Sequence, residues 1–200
     1  MLSAANVRQF GISHPGLADA YFHDASRLLG LADARTPVTG HSERVALLAL
    51  SMAHVLRLGD RLQRILWLGA MLHDVGKSEI DEAVLSETDD LVRDPRGLIC
   101  AHTELGQQAI LRTGTLDERV AMIALQHHEH WDGSGYPMAL KGGEILLEAR
   151  IVTAADHYDM LLHGHRSRRP MPKYEALSYM LAHAGRAYDP LFVDILGTVG

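Results

Sequence analysis

The sequence predicts an all-α protein, and three observations carry that prediction. Apolar residues recur at helical spacing through most of the chain: Val45, Leu48, Ala49 and Met52, then Leu62, Ile65, Leu66, Gly69 and Leu72, then Val120, Ile123, Ala124 and His127. Strand signals are weak, because β-branched clusters bounded by turns are scarce and Ile145-Leu146-Leu147 is too short to support a sheet. Capping residue types and helix breakers fall between the periodic stretches.

Taken in order, an amphipathic segment comes first, with Leu17, Ala18, Tyr21, Phe22, Leu28 and Leu29 facing one way. It is read as an extension, residues 1–38, packed on a core of residues 39–200, with a dimerisation helix as the alternative. Thr39 or Ser42 is expected to cap a helix starting near His41, Asp60 one running to Leu72, and Asp117 one reaching about His130. Gly76 and the turn Asp132-Gly133-Ser134-Gly135-Tyr136-Pro137 are expected to end two of these, since glycine permits positive φ and proline cannot continue a helical ladder. Further helices are expected over 148–162, over 173–184 after a basic, proline-flanked loop, and over 188–196 in the tail.

Two hundred residues fit one domain, and 47% hydrophobic with 22% charged residues supports a sizeable core. The net charge of −6 argues against a sequence-blind grip on duplex DNA or RNA, so an anionic ligand needs a local positive site. A single cysteine, Cys100, excludes an internal disulfide framework and a thiolate metal cluster, which fits a cytoplasmic setting. The longest apolar stretch, residues 65–72, is far short of the ~20 residues a membrane helix needs, so membrane insertion is not expected.

The chain carries 13 His against three Phe and two Trp, and the placement of the histidines is informative. His41, His73-Asp74, His102, His127-His128 and Asp156 fall at or near the ends of different expected helices. Imidazole and carboxylate suit iron, manganese or zinc in a catalytic site. Ligands spread over about 115 residues must converge through tertiary packing.

Two stretches carry a family resemblance: His73-Asp74-Val75-Gly76-Lys77, and His127-His128-Glu129-His130-Trp131-Asp132-Gly133-Ser134-Gly135-Tyr136-Pro137. With His102, Glu104 and Gly106, then Ala149-Arg150-Ile151 leading to Asp156, the chain resembles the HD-GYP branch of the HD-domain metal phosphohydrolases over about three quarters of its length. The resemblance implies an all-helical HD core with extra terminal helices and two divalent ions, iron first and manganese or zinc as alternatives. It also implies His41, His73, Asp74, His102, His127, His128 and Asp156 as ligands, with Lys77 as the cation beside them. The implied activity is hydrolysis of cyclic di-GMP to pGpG, with GMP as the alternative end product, by a hydroxide bridging the two ions. A diguanylate cyclase domain is an implied partner of the Gly-Tyr-Pro segment.

Charge arithmetic agrees with this. Two divalent ions bring +4 and Asp74 with Asp156 return −2, leaving about two positive charges for a phosphate. Asp74 is the expected bridging carboxylate. Lys77 is expected to hold a nonbridging phosphate oxygen, and Glu129 to orient a ligand imidazole.

The sequence departs from the family at three places. Pro37 stands where three-metal members carry a glutamate, and Glu43 is poorly placed to replace it, so two ions are expected. Gly164-His165-Arg166-Ser167-Arg168 only partly keeps a basic run that holds the dinucleotide, leaving Arg166, Arg168 or Arg169 to supply the charge. Ser86 stands where a lysine is usual. The rival readings are an HD phosphohydrolase acting on another nucleotide, such as a hybrid cyclic dinucleotide, and a catalytically slow cyclic-dinucleotide or metal-sensing signalling module.

Overall fold

The computed structural model describes residues 15–33, 40–81, 99–164 and 169–200. Among them lie eight α-helices and no strand: α1 Pro15–Asp33, α2 His41–Val55, α3 Asp60–Leu72, α4 His102–Leu111, α5 Glu118–Gln126, α6 Leu147–His163, α7 Lys173–Ala182 and α8 Pro190–Val199. A 3-10 turn, Val75–Glu79, follows α3. The all-α expectation holds.

Helix α6 is central, packing against α2, α3, α5, α7 and α8. Its buried positions include Ile151, Val152, Ala155 and Tyr158, which join Val45, Ala49 and Met52 of α2 and Leu66, Met71 and Leu72 of α3 in one core. Small residues on α2 and α6 allow close approach, while the larger aliphatic groups fill the space between helices. Helix α1 adds Ala25, Leu28, Leu29 and Ala32 to the same core and lies against α3 and the 3-10 turn. Fully burying a leucine such as Leu28 contributes about 1.5–3 kcal/mol toward docking this segment. The side chains of Leu17, Ala18 and Phe22 lie outside those described.

Several expected boundaries shift, each for a local reason. Gly40, at φ 74°, precedes α2 without a side-chain cap, and Ser42 is buried inside the first turn. Thr39 lies outside the described residues. Asp60 is the first residue of α3 rather than its cap, a place where a carboxylate still favours the positive end of the helix. Asp117 does cap α5, its carboxylate accepting from the Arg119 amide at 3.0 Å. That helix stops at Gln126, short of His130, because the Thr153 hydroxyl of α6 takes the His127 carbonyl at 2.8 Å and the Glu129 amide turns back to Gln126.

Gly76 is required for proximity, not for positive φ. A Cβ there would lie 1.9 Å from the His102 carbonyl oxygen and 2.5 Å from the Gly106 nitrogen, so the 3-10 turn can rest on α4 only without a side chain. Among the described residues, no helix is long and apolar enough to cross a membrane.

Candidate metal centre

Helix ends bring most of the singled-out residues inward. His41 opens α2, His73 follows the last residue of α3, Asp74 leads into the 3-10 turn, His102 opens α4, and His127 closes α5 with His128 next. Asp156 differs from the expectation, because it lies well inside α6, whose middle passes beside the cluster. Six of the seven are buried, all but His128, which is partly exposed.

All seven meet. His41 Nε2 lies 3.0 Å and His73 Nε2 3.8 Å from Asp156 Oδ1. His73 Nε2 is 3.6 Å from Asp74 Oδ2, and on the other side of that carboxylate His102 Nε2 and His127 Nε2 stand 3.4 Å and 3.6 Å from Oδ1. The donor atoms fall into two compact groups, His41, His73 and Asp74, and Asp74, His102, His127 and His128, in each of which they lie within 4.8 Å of one another. Asp74 belongs to both, one oxygen toward each.

The second ring nitrogens explain why the first ones point inward. Nδ1 of His73 donates to the Ala70 carbonyl at 2.7 Å and Nδ1 of His127 to Ala124 at 2.9 Å, while His102 Nδ1 donates to Ile99. With the N–H committed there, each Nε2 carries a bare lone pair. His102 Nε2 and His127 Nε2 then face each other at 3.3 Å, two acceptors without a proton between them. Buried His73 Nε2, Asp74 Oδ1 and Asp156 Oδ1 likewise make no well-aligned hydrogen bond, although His41 Nε2 is close to Asp156. Converging acceptors shielded from water are the arrangement a cation satisfies, so this His/Asp cluster is able to hold divalent metal.

The electrostatics separate the imidazoles. Burial pushes His102 down to about 3 and lowers His73 and His128, so these stay neutral and ready to donate. Burial acts the same way on His41, but Asp156 and Asp159 outweigh it and raise that ring to about 9. Burial pushes Asp74 and Asp156 up, yet Lys77 and His73 hold Asp74 well below the usual carboxylate range, and His41 and His73 do the same for Asp156. Both remain anionic. Lys77, partly exposed at the rim, contacts Asp74 Oδ2 directly.

Other expected residues are placed differently. Glu129 orients no imidazole: its buried carboxylate accepts the Met138 amide at 2.7 Å and the Leu140 amide at 3.0 Å, holding the Gly-Tyr-Pro loop. Tyr136 stacks on the His128 ring with centroids 4.9 Å apart. Glu43 is exposed, Arg169 is exposed and outside the cluster, and Pro37, Ser86, His165, Arg166 and Arg168 lie outside the described residues. Sequence reasoning missed Asp159 and Arg44. The available signal was spacing: each lies one helical turn beyond a singled-out residue, Asp156 and His41 respectively.

The HD domain family matches residues 28–191. The chain belongs to the HD-domain family, in its HD-GYP branch. It is 39% identical over 157 residues to the cyclic di-GMP phosphodiesterase response regulator RpfG of Xanthomonas campestris pv. campestris, covering 77% of this chain and 41% of that protein. It is 35% identical over 180 residues to 3'3'-cGAMP-specific phosphodiesterase 3 of Vibrio cholerae, covering 89% and 39%. Among solved structures it resembles Bd1817, an HDG"Y"P protein from Bdellovibrio bacteriovorus, at a TM-score of 0.65 and 26% identity over 80% of this chain and 51% of that one. This HD-GYP chain thus spans about two fifths of the length of the curated relatives it matches.

Proposed function

We propose that this HD-GYP chain is a metal-dependent phosphodiesterase that opens cyclic di-GMP to pGpG, with GMP as the alternative end product. The observation that carries the reading is the convergence of six donor residues in two groups that share Asp74, with Asp156 beside His41 and His73 and with buried acceptors left facing one another. His102, His127, His128 and Asp74 would hold one ion, and His41, His73, Asp156 and Asp74 the other. Iron is the first choice and manganese or zinc the alternatives, since the donor set suits all three. When bound, such ions lower the pKa of a water toward neutrality and offset phosphate charge.

The protein groups do the positioning. Backbone carbonyls fix the ring tautomers of His73 and His127, the Asp74 carboxylate presents one oxygen to each half, and Lys77 at the rim, in contact with Asp74, would offer its ammonium to a nonbridging phosphate oxygen. Arg166, Arg168 and Arg169 are proposed for the dinucleotide's outer charges. The names of the two relatives support the substrate class, and hybrid cyclic dinucleotides are the alternative substrate. A diguanylate cyclase partner and a homodimer rest on the family and on the N-terminal pattern; light scattering tests the dimer.

The test is anaerobic metal reconstitution, metal content and product analysis on a panel of cyclic dinucleotides. His73→Ala and Asp74→Ala are expected to abolish hydrolysis with helicity retained. Turnover surviving in either variant refutes the mechanism, and tight binding without product favours the signalling-module reading.

A further inference from the structure

His41 is held unlike the other inward-pointing imidazoles. The rings of His73, His102 and His127 rest Nδ1 on the backbone carbonyl three residues earlier. As the first residue of α2, His41 has no carbonyl of its own helix behind it. A carboxylate takes that place: Nδ1 donates to Asp159 Oδ2 at 2.8 Å, while Nε2 faces Asp156 at 3.0 Å. Asp156 and Asp159 sit one turn apart on α6, so a single helix grips both nitrogens of the ring.

Asp159 is 1% exposed and fully engaged. Arg44, one turn beyond His41 on α2, donates Nε to Oδ1 at 2.7 Å and Nη2 to Oδ2 at 2.9 Å. His163 Nδ1 lies 3.0 Å from Oδ1. The guanidinium fork leaves the carboxylate one orientation, in which Oδ2 meets the His41 N–H.

We infer that Asp159 and Arg44 form a positioning pair that fixes the His41 tautomer and strengthens its Nε2 as a donor to the ion of the His41–His73–Asp156 half. This rests on the metal reading above. A carboxylate behind an imidazole raises ligand basicity beyond what a neutral carbonyl achieves, and its loss typically costs about 10–100-fold in metal affinity. The pair therefore sets the half that holds His41 apart from the other, where the His102 and His127 rings rest on backbone carbonyls.

The experiment is calorimetric titration of the metal-free full chain with Mn(II) under anaerobic conditions. Asp159→Asn is expected to weaken one binding step by about 10–100-fold and leave the other unchanged. Arg44→Gln should weaken the same step less, and Arg44→Lys should recover part of that loss. In a His41→Ala background, Asp159→Asn should cost nothing further, because the support acts only through the ring. Unchanged affinity in Asp159→Asn, or a full additional loss in the His41→Ala background, overturns the inference. Should Asp159→Asn fail to fold, Arg44→Gln decides, since Arg44 is partly exposed. A wild-type chain that binds no Mn(II) refutes the metal reading itself, a different outcome from two intact steps in the variant.

Discussion

Replacing Gly76 by alanine tests how the candidate centre is assembled, because the substitution changes one methyl group and no donor. The added Cβ would lie 1.9 Å from the His102 carbonyl oxygen, whereas ordinary contact begins at 3.4 Å, so about 1.5 Å of separation must be found. Both obstacles, the His102 carbonyl and the Gly106 nitrogen, are backbone, and no flexible side chain can swing aside. Overpacking of this kind costs ~1–3 kcal/mol. In a chain of this length that lowers the thermal midpoint by roughly 2–12 °C, taking ~2–4 °C per kcal/mol. His102 opens α4 and its ring faces Asp74, so separating α4 from the turn also displaces a donor, and a 1 Å misplacement can cost ~10²-fold in turnover. Calorimetric unfolding of the metal-free variant and kcat on cyclic di-GMP read the two effects separately. A variant with the wild-type midpoint and turnover refutes the claim that this contact sets the position of His102.

Three further outcomes are expected. The metal-free protein should be most stable near pH 6.5: His41, raised to about 9, contributes stability that is complete below its unfolded value of 6.5 and is lost as pH rises through 9, while His102, lowered to about 3, destabilises as pH falls from 6.5 toward 3. Thermal midpoints across pH 4–10 check this, and His41→Gln should flatten the alkaline limb. Glu129→Gln replaces one of two carboxylate acceptors by an amide NH2 facing a backbone N–H, costing about 1–3 kcal/mol, with faster hydrogen exchange at Met138 and Leu140 as the local signature. Asp117→Ala should lose ~0.5–2 kcal/mol through its cap without altering metal uptake, since Asp117 sits at the opposite end of α5 from His127.

Much of the fold was legible because the apolar residues of α2, α3 and α5 keep helical spacing, which directly reports the buried face. The seven side chains that gather were also singled out from their types and from the two long motifs. Local capping was less legible: Gly40 and Gly59 do work that a search for polar capping side chains assigns to Ser42 and Asp60. Gly76 was recognised but for the wrong reason, since close approach to another helix leaves no trace in local propensity. Glu129 was misplaced because a buried carboxylate beside a histidine pair looks equally suited to an imidazole or to loop amides. Asp159 and Arg44 escaped notice because their partners are more than a hundred residues away, and only the packing of α2 on α6 makes the spacing meaningful.

The glycine-rich loop has a mechanical consequence. Tyr136 donates its amide to the His128 carbonyl at 3.2 Å, and a Cβ on Gly135 would come within 2.4 Å of that same oxygen. The turn and the peptide that carries an inward-facing imidazole are therefore in close contact at the His128 carbonyl, beside the Tyr136–His128 ring stacking. A side chain at position 135 would push Tyr136 away from the His128 carbonyl, so the loop keeps its place beside that imidazole only while glycine stands there.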